Sequence, residues 1–563
     1  MNRKNRTLVL LLLLCAVCAV CFVADARNVT FCAGRSGNAA VRVRWNAWEA
    51  VIQPWYCEAE ETYYYILPSA LSGGVITNDN LNAALQIDGE TIPKYGSFAW
   101  EDGRTYTIST NGSGIPARFT ATSGLPAVFI ETESGSTRSI DTDKANTEHG
   151  KMTVFAADGT VSFSGELTIG GRGNSTFSAF SKKPYSLKLD KAGSILGMER
   201  DRDFCLLANA WDYSFMNNML ALDMAAKAGF RYVPQAEYAD VWINGEYRGV
   251  YLIAEKVEVD EDRIRISDLK AKNRAANPGA DPAAAETFDE GDRRGVLLDA
   301  VPEDITGGYV IERDYRLRAD YPNRRFTASY FETEDYGTAF NIKSPEYADA
   351  REVDYIRGRT SELEQAIRAE DGRSDAGTHY LDLIDLDSWV RTYMIAEIAY
   401  DMDKDVSNTY YYKDTDSADP RFYAGPVWDY DNRFGGTDAY ASAEVLTRLA
   451  TGGWGYTGGW SQYLYEKPEF FEAVCREWNT FFRNYLGEDA PAQIDRWQAL
   501  IRKSAELDNL RWPRGEGYPR TWPDVYGEAF SDSWSFDREA EYLKNWIRIR
   551  CAFLDRVWGE NRE

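Results

Sequence analysis

Asp401-Met402-Asp403-Lys404-Asp405-Val406-Ser407-Asn408 is followed by Thr409-Tyr410-Tyr411-Tyr412 and, after a short gap, by Pro426-Val427-Trp428-Asp429-Tyr430-Asp431. This is the stretch of the chain richest in chemistry. Alternating carboxylates, an Asn and two further carboxylates are hard oxygen donors of the kind that Mg²⁺ and Ca²⁺ prefer. A calcium loop of the EF-hand type is excluded, because Val406 stands where the turn needs Gly and Tyr412 where the bidentate Glu belongs. A solvated acidic loop is the plain alternative, and spacing alone does not remove it.

The flanks give the acidic loop a setting. Upstream, Trp389, Met394 and Ile398 predict a helix over 387–400 that delivers the chain to Asp401. Downstream, the aromatic runs at 410–412 and 422–427 predict two strands of a hairpin, which returns Asp429 toward Asn408. In protein kinases an Asp orients the accepting hydroxyl and an Asn five positions on binds metal. A further Asp, after a hairpin, holds the ions that bridge the phosphates. Asp403 and Asn408 keep that spacing, and Asp429 follows the hairpin.

Several chemistries are excluded by what is missing. His149 and His379 are the only histidines, and neither sits in a catalytic motif, so a Ser-His-Asp or Cys-His machine has no base. A phosphate loop ending in Gly-Lys-Ser/Thr is absent. With 88 acidic against 63 basic side chains the net charge is −25, which repels nucleic acid and anionic lipid. There is no Cys/His cluster for zinc. A hydrolase working through paired carboxylates has no motif behind it.

The N-terminus predicts export. Asn2-Arg3-Lys4-Asn5-Arg6 is a basic leader, residues 8–23 are apolar, and Ala24-Asp25-Ala26 offers small residues for cleavage after Ala26. That makes 1–26 a signal peptide and leaves no transmembrane segment in the mature chain. Cys15, Cys18 and Cys21 lack the small preceding residue of a lipoprotein signal. Five cysteines survive cleavage, and only Cys32 and Cys57 are close enough in sequence to suggest a local disulfide.

Residues 27–124 read as a separate β-rich, immunoglobulin-like module of short antiparallel strands. Val41-Arg42-Val43-Arg44-Trp45 alternates, and Asp88-Gly89 and Asn111-Gly112 are turns. A second body is expected over 125–555. In it, Phe215, Met219, Leu222 and Ala226 predict a helix over 214–229 ended by Gly229. Asn244-Gly245 predicts a hairpin between strands at 238–243 and 249–254. Helices are expected at 470–485 and 492–505. The Ala-, Asp- and Glu-rich stretch 271–295 is expected to be a mobile insertion.

An ordered set of motifs carries a resemblance. Gly171-Arg172-Gly173-Asn174-Ser175-Thr176 precedes Lys182-Lys183-Pro184-Tyr185-Ser186-Leu187-Lys188 and Leu206-Leu207-Ala208-Asn209. Asn218, the run from Ile243-Asn244-Gly245 to Gly249-Val250-Tyr251-Leu252, and Glu255 come next. Gly307-Gly308-Tyr309-Val310-Ile311-Glu312 and Trp428-Asp429-Tyr430-Asp431 complete the set. Over roughly residues 125–555 the chain resembles the spore-coat protein H (CotH) kinase family.

The resemblance implies an α+β, atypical protein-kinase-like fold, with a β-rich lobe and a helical lobe closing over ATP, preceded by the small β-sandwich-like module. It implies transfer of the ATP γ-phosphate to a protein Ser/Thr hydroxyl with Mg²⁺ or Mn²⁺. Carried over, Asp403 is catalytic, Asn408 and Asp429 are metal ligands, and Asp431 is a further acidic ligand. Arg172 and Lys183 are assigned to the phosphates, with Lys182 and Lys188 as substitutes, and Glu255 to a lysine or the nucleotide cleft. Two positions depart from the family: Phe177 replaces a common Trp, and Asn217 replaces an Arg that made a structural or phosphate contact. Because an exported protein meets little ATP, the competing reading is a non-catalytic cell-surface binding or adhesion protein on the same scaffold.

Overall fold

The computed structural model describes residues 27–560, except 34–38, 46–47, 72–73, 79–84, 110–113, 323, 402, 436–447, 452–458 and 515–534. The proposed signal peptide and its cleavage site lie outside these residues. The architecture is mixed α+β, with two packed sheets, a closed barrel, and a mixed layer of sheet and helices.

The alternating run at 39–45 forms the strand Ala39–Trp45, burying Val41, Val43 and Trp45 while Arg44 faces out. It belongs to a five-stranded sheet that packs on a six-stranded one around Phe31, Tyr65, Ile76, Ile108 and Phe119. The expected all-antiparallel pattern does not hold throughout. Arg27–Ala33 runs parallel to Val75–Asn78, and Thr62–Leu67 parallel to Ile115–Ala121. Nor is the expected disulfide formed. Cys32 and Cys57 are buried free thiols on strands of different sheets, so closeness in sequence did not bring them together.

Seven strands close the barrel in the order Ala127–Thr132, Thr147–Phe155, Val161–Gly171, Tyr185–Gly193, Asp201–Leu207, Glu246–Glu255, Ala236–Ile243. Val128, Leu167, Leu187, Phe204, Val241 and Ile253 fill its interior. The predicted hairpin is present: Asn244 and Gly245 both take positive φ (54° and 81°), as a two-residue turn of this kind requires. Asn244 also cross-links the barrel, because its side chain accepts from Thr132 N at 2.9 Å and donates to Thr132 Oγ1 at 2.9 Å.

The N-terminal sheets and the barrel share apolar contacts across residue 125. Trp45 stacks on Phe155 of the barrel at 4.2 Å, Phe129 stacks on Trp242 at 4.9 Å, and Trp242 donates to Ile66 O. These aromatics form one apolar cluster with the N-terminal sheets.

The remaining layer holds a seven-stranded sheet in the order Glu286–Asp289, Arg293–Leu297, Tyr330–Glu332, Ala339–Ser344, Tyr309–Asp314, Ser407–Lys413, Phe422–Ala424. Helices Ala350–Arg368, Leu386–Ala399, Pro468–Glu477, Ala490–Arg511 and Phe536–Trp558 pack around it. The stretch 271–295, expected to be a mobile insertion, is instead built in. It contributes the end of helix Leu269–Ala276 and the hairpin that edges the sheet. Phe288 and Val296 give that polar stretch the apolar contacts that anchor it. Among the described residues no helix is long and apolar enough to cross a membrane.

Candidate active site

Helix Leu386–Ala399 ends at Tyr400, whose left-handed backbone (φ 54°) turns the chain out into the acidic loop. The loop is held from within. Asp403 N donates to Asp401 Oδ1 at 3.0 Å, and Asp403 O accepts from Val406 N and Ser407 N at 2.8 and 2.7 Å. From Ser407 the chain enters the strand Ser407–Lys413, whose antiparallel partner Tyr309–Asp314 places Glu312 opposite Tyr410.

The predicted hairpin to Phe422–Ala424 forms and brings Asp429 back to the start of that strand. Asn408 Nδ2 donates to Asp429 Oδ2 at 2.8 Å. Both residues sit at positive φ, 59° and 69°, a conformation that L residues other than Asn and Asp rarely accept. The N-terminal turn of helix Asn217–Ala228 anchors the Asp429 loop. Asn218 Oδ1 accepts from Tyr430 N at 2.8 Å, and Asn217 Nδ2 donates to the carbonyls of Asp431 and Arg433 at 3.2 and 2.8 Å. Asn217, the family departure, therefore holds loop backbone.

Arg433, buried beside the acidic loop, ties it to the Asp429 loop. Its Nε lies 2.5 Å from Asp401 Oδ1, and its NH2 donates to Asp403 Oδ2 at 3.0 Å. Asp405 turns away from this group, toward Arg313 at 3.6 Å and the Ser461 hydroxyl. Glu312 accepts from Tyr410 Oη and Asn341 Nδ2, both at 3.3 Å, with Lys343 Nζ at 3.4 Å.

Glu312, Lys343, Tyr410 and Arg433 share a cleft of about 630 Å³ with Arg172, Asp403, Asn408, Asp429 and Asp431. Asp429 is open to the cleft, but protein walls surround it. Desolvation raises its carboxyl, Arg433 and Arg172 pull it back, and Asp403 and Glu312 raise it further. Asp431 is likewise raised by burial and by Asp429. Two crowded carboxylates with spare oxygens are the setting in which a divalent cation relieves repulsion.

The structure separates the sequence-predicted residues. Asp403, Asn408, Asp429, Asp431 and Arg172 line the cleft, and the Arg172 guanidinium lies 5.6 Å from the Trp428 ring centroid. Lys183 is not among the lining residues. Its ammonium donates to Phe177 O at 2.5 Å and sits over the Phe177 ring. Lys182 is fully buried elsewhere, on Asp508 and Val250 O. Lys188 is an exposed barrel residue opposite Asp203. Glu255 pairs with no lysine and does not line the cleft. It accepts from Gln235 N at 3.0 Å and Tyr232 Oη at 3.3 Å, inside the barrel's junction with the next layer.

Sequence reading missed Arg433, Lys144, Lys343, Arg316 and Arg325, all on the cleft wall. The basic alternation Arg313-Asp314-Tyr315-Arg316-Leu317-Arg318, directly after the Glu312 motif, was the available signal. A separate acidic group, Asp201, Asp203 and Glu258, lies outside the cleft and is met by Arg263 and Lys256 at 3.0 to 3.7 Å.

A family model described as CotH kinase protein matches residues 169–554, more than half of the chain. The chain belongs to the CotH kinase protein family. The family match covers every cleft residue named above except Lys144. It begins inside the barrel strand Val161–Gly171, later than the motif-based start near 125, so the first two barrel strands lie outside it. No curated protein matches the chain.

Proposed function

We propose that this CotH-family chain is an exported kinase that transfers the γ-phosphoryl group of ATP to a Ser or Thr hydroxyl of a protein. In this reading the barrel is the β-rich lobe, the seven-stranded sheet with its helices is the second lobe, and ATP occupies the cleft between them. The observation that carries it is the hydrogen bond from Asn408 to Asp429 beside Asp403. Asp403 lies in the loop after a helix, Asn408 in the strand that follows and Asp429 in the loop beyond the hairpin, yet all three line one cleft. A pure binding scaffold has no need to bring these three polar groups together.

The donor set fits a divalent cation. With Asn408 Nδ2 committed to Asp429 Oδ2, Asn408 Oδ1 and Asp429 Oδ1 remain as oxygen donors, with Asp431 adjacent. Mg²⁺ or Mn²⁺ held there would neutralise phosphate charge. Asp403, fixed by Arg433, accepts a hydrogen bond from the acceptor hydroxyl and takes its proton as the new P–O bond forms and the bond to the ADP oxygen breaks. Arg172, backed by the Trp428 face, offers its guanidinium to phosphate oxygens.

The test is transfer of labelled γ-phosphate by residues 27–563 with Mg²⁺ or Mn²⁺ to generic protein acceptors. We expect metal-dependent labelling; absence of both labelling and metal-dependent nucleotide binding overturns the reading. Export through residues 1–26 is part of the proposal, and the mature protein should begin at Arg27.

A further inference from the structure

The cleft gathers cations in a strongly acidic protein. Among the described residues six Lys and Arg side chains line it against four carboxylates, although the whole chain carries a net charge of −25. Two of those cations are neutralised locally: Arg433 by Asp401 and Asp403, and Lys343 by Glu312. Arg172 faces the acidic floor, where its charge acts on Asp429 and Asp431.

Three cations remain, and they come from two parts of the fold. Lys144 lies on the turn between helix Arg138–Thr142 and the barrel strand Thr147–Phe155. Its ammonium is held by neutral oxygens only, Gly173 O at 2.6 Å and Asn174 Oδ1 at 3.3 Å. Arg316 and Arg325 follow the sheet strand Tyr309–Asp314 and share one buried carboxylate. Asp314 Oδ1 accepts from Arg316 Nε at 2.7 Å, and Asp314 Oδ2 accepts from Arg316 NH2 at 3.0 Å and Arg325 NH1 at 3.1 Å. Burial pushes the Lys144 ammonium toward the neutral form, and the Arg325 and Arg316 guanidiniums add to it. One carboxylate among three cations leaves a surplus of positive charge, and like charges approach across the cleft. Arg316 Nε and NH2 and Arg325 NH1 are spent on Asp314, which fixes both guanidiniums and leaves Arg316 NH1 and the other edge of Arg325 for an oxyanion.

We infer that Lys144, Arg316 and Arg325 form a second anion position in the cleft, which takes a phosphate-type dianion bridging the barrel to the seven-stranded sheet. Asp314 is the positioning residue that aims the two guanidiniums. The inference extends the phosphotransfer reading by giving the same cleft an anion site that needs no metal. The dianion comes either from the outer phosphates of the nucleotide or from an anionic group of the acceptor.

The experiment is calorimetric titration of residues 27–563 with inorganic pyrophosphate in EDTA. The parent should bind, and Lys144→Ala and Arg325→Gln, both near the surface and checked for folding by circular dichroism, should each weaken binding at least about tenfold. Asp429→Asn should bind at least as well as the parent. Metal-free binding that is absent from the folded parent, or equal in parent and both variants, overturns the site. Loss of metal-dependent ATP binding and transfer with pyrophosphate binding intact would instead count against the phosphotransfer reading alone. Titration of inorganic phosphate in the presence of saturating ATP·Mg²⁺ distinguishes the sources. Blocked binding assigns the position to the nucleotide, and retained binding, still sensitive to Lys144→Ala, assigns it to the acceptor.

Discussion

Asn408 donates its side-chain amide to Asp429 Oδ2 at 2.8 Å, joining the first residues of a strand to the loop beyond its hairpin, and both ends of the bond sit at positive φ. Asn and Asp accept positive φ more readily than other L residues, so the bond is kept at little cost where the surroundings enforce it. Here the enforcement comes from Asn217 and Asn218, which fasten the backbone from Tyr430 to Arg433.

That arrangement separates the roles of two aspartates. Asp403→Ala should leave ATP·Mg²⁺ binding nearly intact and lower transfer by about 10²–10⁴. Asp429→Ala should lose metal-dependent nucleotide binding together with transfer, because phosphate charge is left uncompensated. Titration of each variant with ATP, with and without Mg²⁺, beside a transfer assay, reads the difference. Two variants that bind and transfer like the parent would remove the kinase reading.

Arg172 and Lys183 should also part company. Arg172→Ala removes a guanidinium that faces the cleft and should weaken ATP binding about tenfold or more. Lys183→Ala removes an ammonium spent on Phe177 O and should leave nucleotide affinity unchanged. Equal losses in the two variants would return Lys183 to the phosphates.

The acidic floor was legible because its chemistry is dense along the sequence: Asp403, Asn408 and Asp429 lie within one loop, strand and hairpin. The helix ended by Gly229 and the Asn244-Gly245 hairpin were legible for the same local reason. The cationic wall was not, since Lys144, Arg316 and Arg325 meet only through the pairing of distant elements. Lys182 and Lys183 are adjacent in an irregular segment, where no periodicity says which ammonium points inward, and neither enters the cleft. Glu255 ends a strand that is buried on both sides, so its alternation carried no information about which face it occupies. In residues 27–124 alternation showed strands but not that two of their pairings run parallel, because those pairings join segments distant in sequence.

Lys182 is instead part of a buried charge cluster that locks helix Ala490–Arg511 to the barrel. Asp508 accepts from Lys182 Nζ at 2.5 Å, Val250 N at 2.9 Å and Arg514 NH2 at 3.2 Å. Asp508→Ala leaves two buried cations without their counter-charge and an amide without its acceptor, and should cost about 3–5 kcal/mol. Lys182→Met should cost less, because Asp508 keeps its other two donors. Gly249→Ala should also destabilise: Gly249 sits at φ 102°, and an added Cβ would lie 2.1 Å from Asp508 Oδ2. Denaturant unfolding measures all three. A tolerated Asp508→Ala would show that the cluster does not hold the helix.

Glu352 gives the protein a pH-dependent stability that is independent of the cleft. It lies in the first turn of helix Ala350–Arg368, fully buried, where Oε2 accepts from Asp349 N at 2.9 Å and Asn273 Nδ2 at 3.0 Å. Its Oε1 and the neighbouring Asn273 Oδ1 have no hydrogen-bond partner among the described residues. A proton on Glu352 removes the charge from an oxygen that is buried without a donor. Burial pushes the carboxyl up to about 7, with the hydrogen bonds from Asp349 and Asn273 pulling against it. Between pH 4.5 and 7 the folded protein therefore keeps a proton that the unfolded chain has released. The stabilisation is complete below pH 4.5 and is lost as the pH rises through 7, amounting to roughly 3 kcal/mol. Glu352→Gln keeps the shape and carries a permanent donor at the Oε1 position. It should flatten this part of the stability profile and make the protein more stable than the parent at pH 8. Chemical denaturation of parent and variant between pH 4.5 and 8.5 reads both effects. Parallel profiles for the two proteins would show that Glu352 is ionised when buried and that its desolvation is compensated by another group.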